Sequence, residues 1–416
     1  MASAREAALK ILKKVIDEKA YSNIALNSYF KEHDMDSRDK ALTANIVYGV
    51  LTNLTYLDYQ INSYSKVPFR KISLAVLNIL RISMYQIRFL DKIPDSAAVN
   101  EGVKLAKKAA FKSSGFVNAV LRAYMKGGEK LPPKDDEVRY LSVLYSYPEW
   151  IVELFDRCEE LLAAGNEIPP VTIRVNTLKI TPEELAERLG AEKCGIYGAL
   201  NLKKSGSIED IKEFKDGLFT VQDMAAQKAA MVLEPQEGER ILDMCAAPGG
   251  KTTHIAELMK NAGEIIAWDK YAHKIALIEN MATRLGISNI KAYEKDATEP
   301  DEALYGTFDR VLLDAPCSGL GIIRKKPEIK WLRKEDDIPK IICEQKALLS
   351  VAANYVKKGG VLLYSTCTIN RAENEDILDG FLTAHNDFAK DGEYINLAPH
   401  TDKTDGFFIG RLKKVY

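Results

Sequence analysis

Two cysteines stand in contexts suited to nucleophilic chemistry. Cys317 lies in Asp314-Ala315-Pro316-Cys317-Ser318-Gly319, and Cys367 in Ser365-Thr366-Cys367-Thr368. They mark the ends of two strand-like runs, Phe308–Asp314 and Gly360–Cys367. If those runs are adjacent parallel strands, both thiols reach the same rim. A thiolate there can add to an electrophilic carbon and divide one difficult step into easier ones. The remaining cysteines, at 158, 194, 245 and 343, show no Cys-x-x-Cys and no Cys/His spacing for zinc, so no metal is expected. Cys158, Cys194 and Cys343 read as small buried residues.

A third stretch is built for a ligand. Ile241–Thr252, I-L-D-M-C-A-A-P-G-G-K-T, starts as a short apolar run carrying Asp243. It turns through Pro248-Gly249-Gly250 and continues into helix-compatible sequence from Lys251. A strand, a glycine turn and a helix start form the opening of a nucleotide pocket in an open α/β sheet. Glycines admit a close ligand, and the N–H groups of the helix start favour an anion. A P-loop would need glycine where Cys245 stands, and G-x-G-x-x-G is absent. Asp269 ends the next strand-like run, where a carboxylate can take both hydroxyls of a ribose. Asp296 ends the one after, where it can accept from an adenine amino group. The set describes an adenosine cofactor without a triphosphate. S-adenosylmethionine fits, with its carboxylate at Gly249–Lys251.

The elements that must position these residues follow a regular alternation. Strand-like runs at Arg240–Met244, Glu264–Asp269, Asn289–Asp296, Phe308–Asp314 and Gly360–Cys367 alternate with helical runs at 251–260, 271–285 and 338–357; another follows at 372–385. That order predicts a parallel sheet covered on both faces, with Asp243, Asp269, Asp296 and Asp314 at the carboxyl ends where ligands bind. Gly406–Val415 reads as a closing strand.

At 416 residues the chain is expected to hold two or three domains. No apolar run approaches the roughly 20 residues of a membrane span, and the first residues lack the apolar core of a secretory signal. The expected setting is the cytoplasm, with no membrane partner. The net charge of −1 hides an asymmetry, because residues 66–130 carry 13 Lys and Arg against 4 Asp and Glu. Charge alone leaves an anionic partner and a solvated helical face equally open. Residues 1–126 read as helical: Leu74, Leu77, Met84 and Ile87 share one face, and so do Val117, Val120, Leu121 and Tyr124. Lys104, Lys107, Lys108, Lys112 and Arg122 crowd the last two helices. Gly127–Glu137 is a linker. Beyond it, Val171–Leu178 is β-rich, and Thr181-Pro182-Glu183-Glu184 is a capping box with Gly190 as its stop.

Residues 1–130, ending in S-G-F-V-N-A-V-L-R-A-Y, resemble a NusB-type RNA-binding domain. The motifs L-D-M-C-A-A-P-G-G-K-T, D-A-P-C-S-G and S-T-C-T resemble the RNA cytosine-5 methyltransferases of the NOL1/NOP2/Sun family, and with the NusB-like front end its bacterial RsmB (Fmu, Sun) type. The resemblance implies a multidomain chain: an all-α NusB-like domain at 1–130, a small α/β connecting segment at 137–220, and a Rossmann-like class I methyltransferase domain at 221–416. It implies S-adenosylmethionine bound by Cys245, Ala246, Ala247, Pro248, Gly249, Gly250, Lys251, Asp269, Asp296 and Asp314. It implies methyl transfer to C5 of a cytosine in 16S ribosomal RNA, with Cys367 as nucleophile, Cys317 in product release and Asp314 on the cytosine edge. Lys251 is one cation that could lower the Cys367 pKa, and Cys245 is not expected to react. The implied partner is ribosomal RNA, not DNA, bound by a monomer. Arg324, Lys325 and Lys326 read equally as a phosphate clamp or a solvated loop. A DNA cytosine-5 methyltransferase would carry F-x-G-x-G and Glu-Asn-Val, which are absent; Glu373-Asn374-Glu375 is a distant echo. The alternatives are another RNA, such as tRNA, as substrate, or an RNA-binding scaffold with an inactive domain. The paired cysteines and strand-end aspartates weigh against the scaffold.

Overall fold

A computed structural model describes residues 3–203 and 207–416. The chain divides into two compact units. The first comprises residues up to Glu167 together with Ile323–Arg333, and the second comprises Ile168–Ile322 and Lys334–Tyr416.

The first unit is helical: α1 Ala4–Asp17, α2 Ser22–Glu32, α3 Ser37–Thr52, α4 Leu54–Tyr64, α5 Leu74–Phe89, α6 Asp95–Ala109, α7 Ser114–Gly127, α8 Glu137–Tyr145, α9 Glu149–Leu154 and α10 Glu159–Ala164. Val117, Val120, Leu121 and Tyr124 of α7 are all buried, as their spacing predicts. In α5 burial extends beyond the expected single face, and every residue from Val76 to Gln86 is enclosed. A helix buried all round must satisfy its polar side chains internally. Arg81 donates to both carboxylate oxygens of Asp58 at 2.6 and 2.7 Å, and Ser83 and Gln86 donate to the Ile79 and Ile82 carbonyls.

Ile323–Arg333 arrives in this unit from the far end of the sequence, with α16 at Ile329–Leu332. Its Lys330 is fully buried. The ammonium donates to the carbonyls of Thr52 and Ser146 at 3.1 Å and to Asn166 Oδ1 at 2.6 Å, and it lies 3.7 Å from the Tyr147 ring centroid. Burial pushes its pKa well down. Trp331 Nε1 donates to the Leu51 carbonyl, and Glu328 accepts from the Ser22 N–H and hydroxyl. Arg324, Lys325 and Lys326 of this strap are half-buried, with Lys326 over the Tyr21 ring.

The second unit opens with a small antiparallel sheet in the order β2-β3-β1-β4. Its elements are β1 Val171–Val175, α11 Pro182–Leu189, β2 Glu192–Lys193, β3 Ala199–Leu202, α12 Lys212–Lys215 and β4 Phe219–Val221. α11 carries the expected capping box between Thr181 and Glu184, with Pro182 at its start and left-handed Gly190 at its end. Then come α13 Met224–Leu233, β5 Arg240–Asp243, α14 Gly250–Leu258, β6 Glu264–Asp269, α15 Ala272–Leu285, β7 Ile290–Glu294, β8 Phe308–Asp314, α17 Ile338–Tyr355, β9 Val356–Thr366, α18 Glu375–Ala384, β10 Phe388–Lys390, β11 Ile395–Leu397, α19 Pro399–Asp402 and β12 Phe407–Lys414.

The large sheet runs β10-β12-β9-β8-β5-β6-β7. β5 to β9 are parallel and β12 closes the sheet antiparallel to β9. Central strands serve two cores: Leu242, Val311, Leu313 and Leu362 face one, and Ile241, Leu312, Val361 and Leu363 the other. This double burial explains their uninterrupted apolar runs. The chain order reverses between β5 and β8, and the crevice beyond their carboxyl ends is where such sheets bind ligands.

Candidate active site

Strand register brings the two cysteines together. β8 and β9 are adjacent and parallel, with Asp314 opposite Ser365. The chain leaves both strands at the same level, and the Cys317 and Cys367 sulfurs come to 3.2 Å. Past Cys317 the chain returns to the second loop: the Gly321 N–H donates to the Cys367 carbonyl at 3.0 Å, and the Gly321 carbonyl accepts from Gly406 at 2.8 Å. A Cβ on Gly321 would lie 2.0 Å from the Gly406 carbonyl, so only glycine permits this approach.

Lys251 ties the glycine turn to the acid that ends β8. It donates to Asp314 Oδ2 at 2.7 Å, while Ser365 Oγ donates to Asp314 Oδ1 at 2.8 Å. Burial works against the Lys251 ammonium, but Asp314, and after it the Cys367 charge, outweigh burial and raise its pKa. The Cys317 thiol is pushed well up by its hydrogen bond to Cys367 and then by burial. Cys245 is also raised, by burial and by the carboxylates around it, as suits an unreactive thiol.

The glycine turn has a backbone that its sequence demands. Gly249 has φ 103°, and a Cβ there would lie 3.2 Å from Ile278 Cα. The Ala246 N–H donates to the Trp268 carbonyl and the Gly249 N–H to the Ala246 carbonyl, which holds the turn against β6. α14 starts at Gly250, so its first N–H groups lack partners within the helix. Asp243 is buried and accepts from Thr252 Oγ1 at 2.7 Å. Burial pushes its pKa up to about 7 against the Thr252 bond.

Asp269 ends β6 as expected. It is buried and pairs with Lys274 at 3.2 Å. Asp296 lies two residues beyond β7, which stops at Glu294, and not at a strand end. The chain turns there because the Lys295 N–H donates to the Asp269 carbonyl and Asp296 accepts from the Thr298 N–H and hydroxyl. Hydrogen bonds from Lys270 and then Thr298 hold the Asp296 pKa down to about 2. The donor set fits S-adenosylmethionine: an open helix start for its carboxylate, a buried acid at the end of β6 for the ribose, and space at Gly250, where a Cβ would meet only Gln222 at 3.7 Å. Among the described residues, no His, Cys, Asp and Glu cluster could hold a metal.

Two polar networks escape a reading of the motifs. Buried Arg174 of β1 donates to both oxygens of Glu257 at 3.1 and 2.9 Å, to Thr253 Oγ1 at 3.0 Å, to the Gly250 carbonyl at 2.6 Å and to Gln222. The small sheet thus grips the first turns of α14. Its only signal in the sequence is a charged residue inside V-T-I-R-V. The second network centres on buried Glu373, beyond Cys367, in the polar run N-R-A-E-N-E.

A Rossmann-like sheet with this turn and these thiols defines a methyltransferase unit. Comparison with known proteins identifies the branch. Residues 230–413 match the family described as 16S rRNA methyltransferase RsmB/F, residues 2–126 match the NusB family, and residues 147–204 match a ferredoxin-like domain of RsmF/B-like methyltransferases. A probable ribosomal RNA small subunit methyltransferase B of Bacillus subtilis is 37% identical, over 99% of both chains. The crystal structure of PH0851 superposes with a TM-score of 0.83 at 30% identity, covering 100% of this chain and 99% of that one. NSun6 from Pyrococcus horikoshii, crystallised with SFG, an analogue of S-adenosylmethionine, gives a TM-score of 0.58 at 26% identity, over 64% of this chain and 97% of its own. The chain belongs to the RsmB family of small-subunit ribosomal RNA methyltransferases.

Proposed function

We infer that the protein methylates C5 of a cytosine in 16S ribosomal RNA, using S-adenosylmethionine and a covalent Cys367–C6 adduct. The observation that carries this reading is the 3.2 Å approach of Cys317 and Cys367 beside the Lys251–Asp314 pair. The cofactor supplies a methyl group on a sulfonium sulfur. C5 of cytosine is a poor nucleophile until a thiolate adds to C6 and makes it electron-rich. Cys367 makes that bond, with Lys251 as the cation beside its sulfur and Asp314 as the acceptor for the N3/N4 edge of the base. After methylation the C5 hydrogen leaves as a proton to water, and its bonding pair forms the C5–C6 double bond. The C6–sulfur pair returns to Cys367. Cys317 serves this release.

The target base must leave its stack to enter the cleft. Lys104, Lys107, Lys108, Lys112 and Arg122 are exposed on α6, α7 and the turn between them, where they suit phosphate contacts. Among the described residues no helix is long and apolar enough to cross a membrane, and the reading places the enzyme with ribosomal RNA in the cytoplasm. Cys367→Ser should abolish methyl transfer to 16S RNA, and Cys317→Ala should accumulate an RNA adduct on a denaturing gel. Normal turnover by Cys367→Ser would overturn the reading.

A further inference from the structure

We propose that Glu373 is a positioning residue that sets the placement of Cys317 against Cys367 and thereby governs release of the methylated RNA more than its methylation. The inference rests on the roles given above to the two thiols.

Consecutive residues bracket the two cysteines. Glu373 Oε2 accepts from the Ser318 N–H at 2.8 Å, and Oε1 accepts from the Ser318 hydroxyl at 2.6 Å. Gln345 Nε2 donates to Glu373 Oε2 at 3.2 Å and to the Pro316 carbonyl at 3.0 Å. One carboxylate therefore holds the residues on both sides of Cys317, one directly and one through Gln345. Asn374 treats Cys367 in the same way: its Oδ1 accepts from Thr366 Oγ1 at 2.5 Å, and its Nδ2 donates to the Thr368 carbonyl at 3.0 Å. Asn370 Nδ2 on Glu373 Oε1 at 3.0 Å and the 2.9 Å contact of the Ser318 and Thr368 hydroxyls join the brackets.

The bracket is asymmetric in what it controls. Without Glu373 the Cys367 loop keeps the Asn374 bonds on either side of its thiol and loses only the Thr368 and Asn370 side-chain bonds, while the Gly321 bond joins the two loops and is common to both. The Cys317 loop loses its tie to the shared carboxylate. A glutamine at 373 offers one oxygen where two accept, and turns an amide N–H toward donors on Ser318 or Asn370. The Cys317 sulfur then leaves its place while Cys367 stays.

The experiment compares the parent, Glu373→Gln and Cys317→Ala with 16S RNA and labelled S-adenosylmethionine. Glu373→Gln should retain a first turnover near one methyl per enzyme and an unaltered KM for the cofactor. Its steady-state kcat should fall roughly tenfold to hundredfold, the scale of an ångström-sized misplacement. It should also show the denaturation-resistant RNA adduct that Cys317→Ala shows. A general loss of structure would lower first turnover and cofactor binding together. Gln345→Leu, which removes the Pro316 tie and one donor to Glu373 but leaves both Ser318 bonds, should give the same partition with a smaller fall, and it carries the test if Glu373→Gln does not fold. Adduct in Cys317→Ala but not in either variant overturns this inference alone. Absence of adduct in Cys317→Ala takes down the thiol roles and this inference with them.

Discussion

Arg174→Met removes the guanidinium that joins β1 to the first turns of α14. The dominant loss is electrostatic. Glu257 and Arg174 are both buried, and breaking such a pair from one side costs about 3–5 kcal/mol because a charge is left without its partner. For a unit of this size each kcal/mol is about 2–4 °C of Tm, so the melting temperature should drop by roughly 6–20 °C. Burial already raises the Glu257 pKa and Arg174 opposes it, so removing Arg174 lets the pKa rise further. A carboxyl with a raised folded-state pKa is best tolerated below its unfolded pKa and loses stability as pH rises through the folded value. The deficit should therefore be smaller at mildly acidic than at alkaline pH. Arg174→Met with Glu257→Leu removes the orphaned charge and should recover most of the melting temperature. Cofactor affinity should not return, since the Gly250 carbonyl and Thr253 still lack their donor. Thermal denaturation across pH and calorimetric titration with S-adenosylmethionine check both halves. A single variant melting within about 2 °C of the parent, or a double variant with full affinity, would refute the reasoning.

Gly249→Ala should lower both the melting temperature and cofactor affinity through about 1–3 kcal/mol of backbone strain at φ 103°, whereas Gly250→Ala, whose Cβ meets no protein atom closer than 3.7 Å, should keep the melting temperature and lose affinity only because its methyl fills space given to the cofactor; thermal melts and titration of both variants separate them. Asp243→Asn should flatten the pH dependence of stability. The buried acid, raised from 3.8 to about 7, contributes stability as a protonated group below its unfolded pKa and loses up to roughly 4 kcal/mol as pH climbs through about 7, whereas the amide keeps the Thr252 acceptor at every pH. Urea midpoints on either side of neutrality measure this, and parallel curves for parent and variant would contradict it.

The sheet was legible because central strands must be apolar on both faces, and the helices between them because their apolar spacing shows. Phe308–Asp314 and Glu264–Asp269 match β8 and β6 end for end. The approach of Cys317 and Cys367 was legible only on the condition that their strands are neighbours, which alternation does not fix: β7 and β8 follow each other in sequence and lie apart in the sheet. Asp296 was misplaced by two residues, since hydrophobicity cannot show where a side-chain turn ends pairing. Arg174, Gln345 and Glu373 gave little sign, because each acts through hydrogen bonds to residues dozens of positions away, and periodicity carries no record of polar partners. All-round burial of α5 was hidden by Asn78, Arg81 and Gln86, polar letters whose partners only the fold supplies.

The strap of Ile323–Arg333 changes how the molecule can be made. Its lysine and tryptophan complete a helical core whose other residues all precede Glu167. On the ribosome those helices emerge first, yet the carbonyls of Thr52 and Ser146 wait for Lys330 while the ribosome adds the intervening chain, on the order of 10–30 s at ordinary elongation rates. The helical unit is thus completed late, and separating the chain at the Gly127–Glu137 linker would take the Thr52 carbonyl from Lys330 and the Leu51 carbonyl from Trp331.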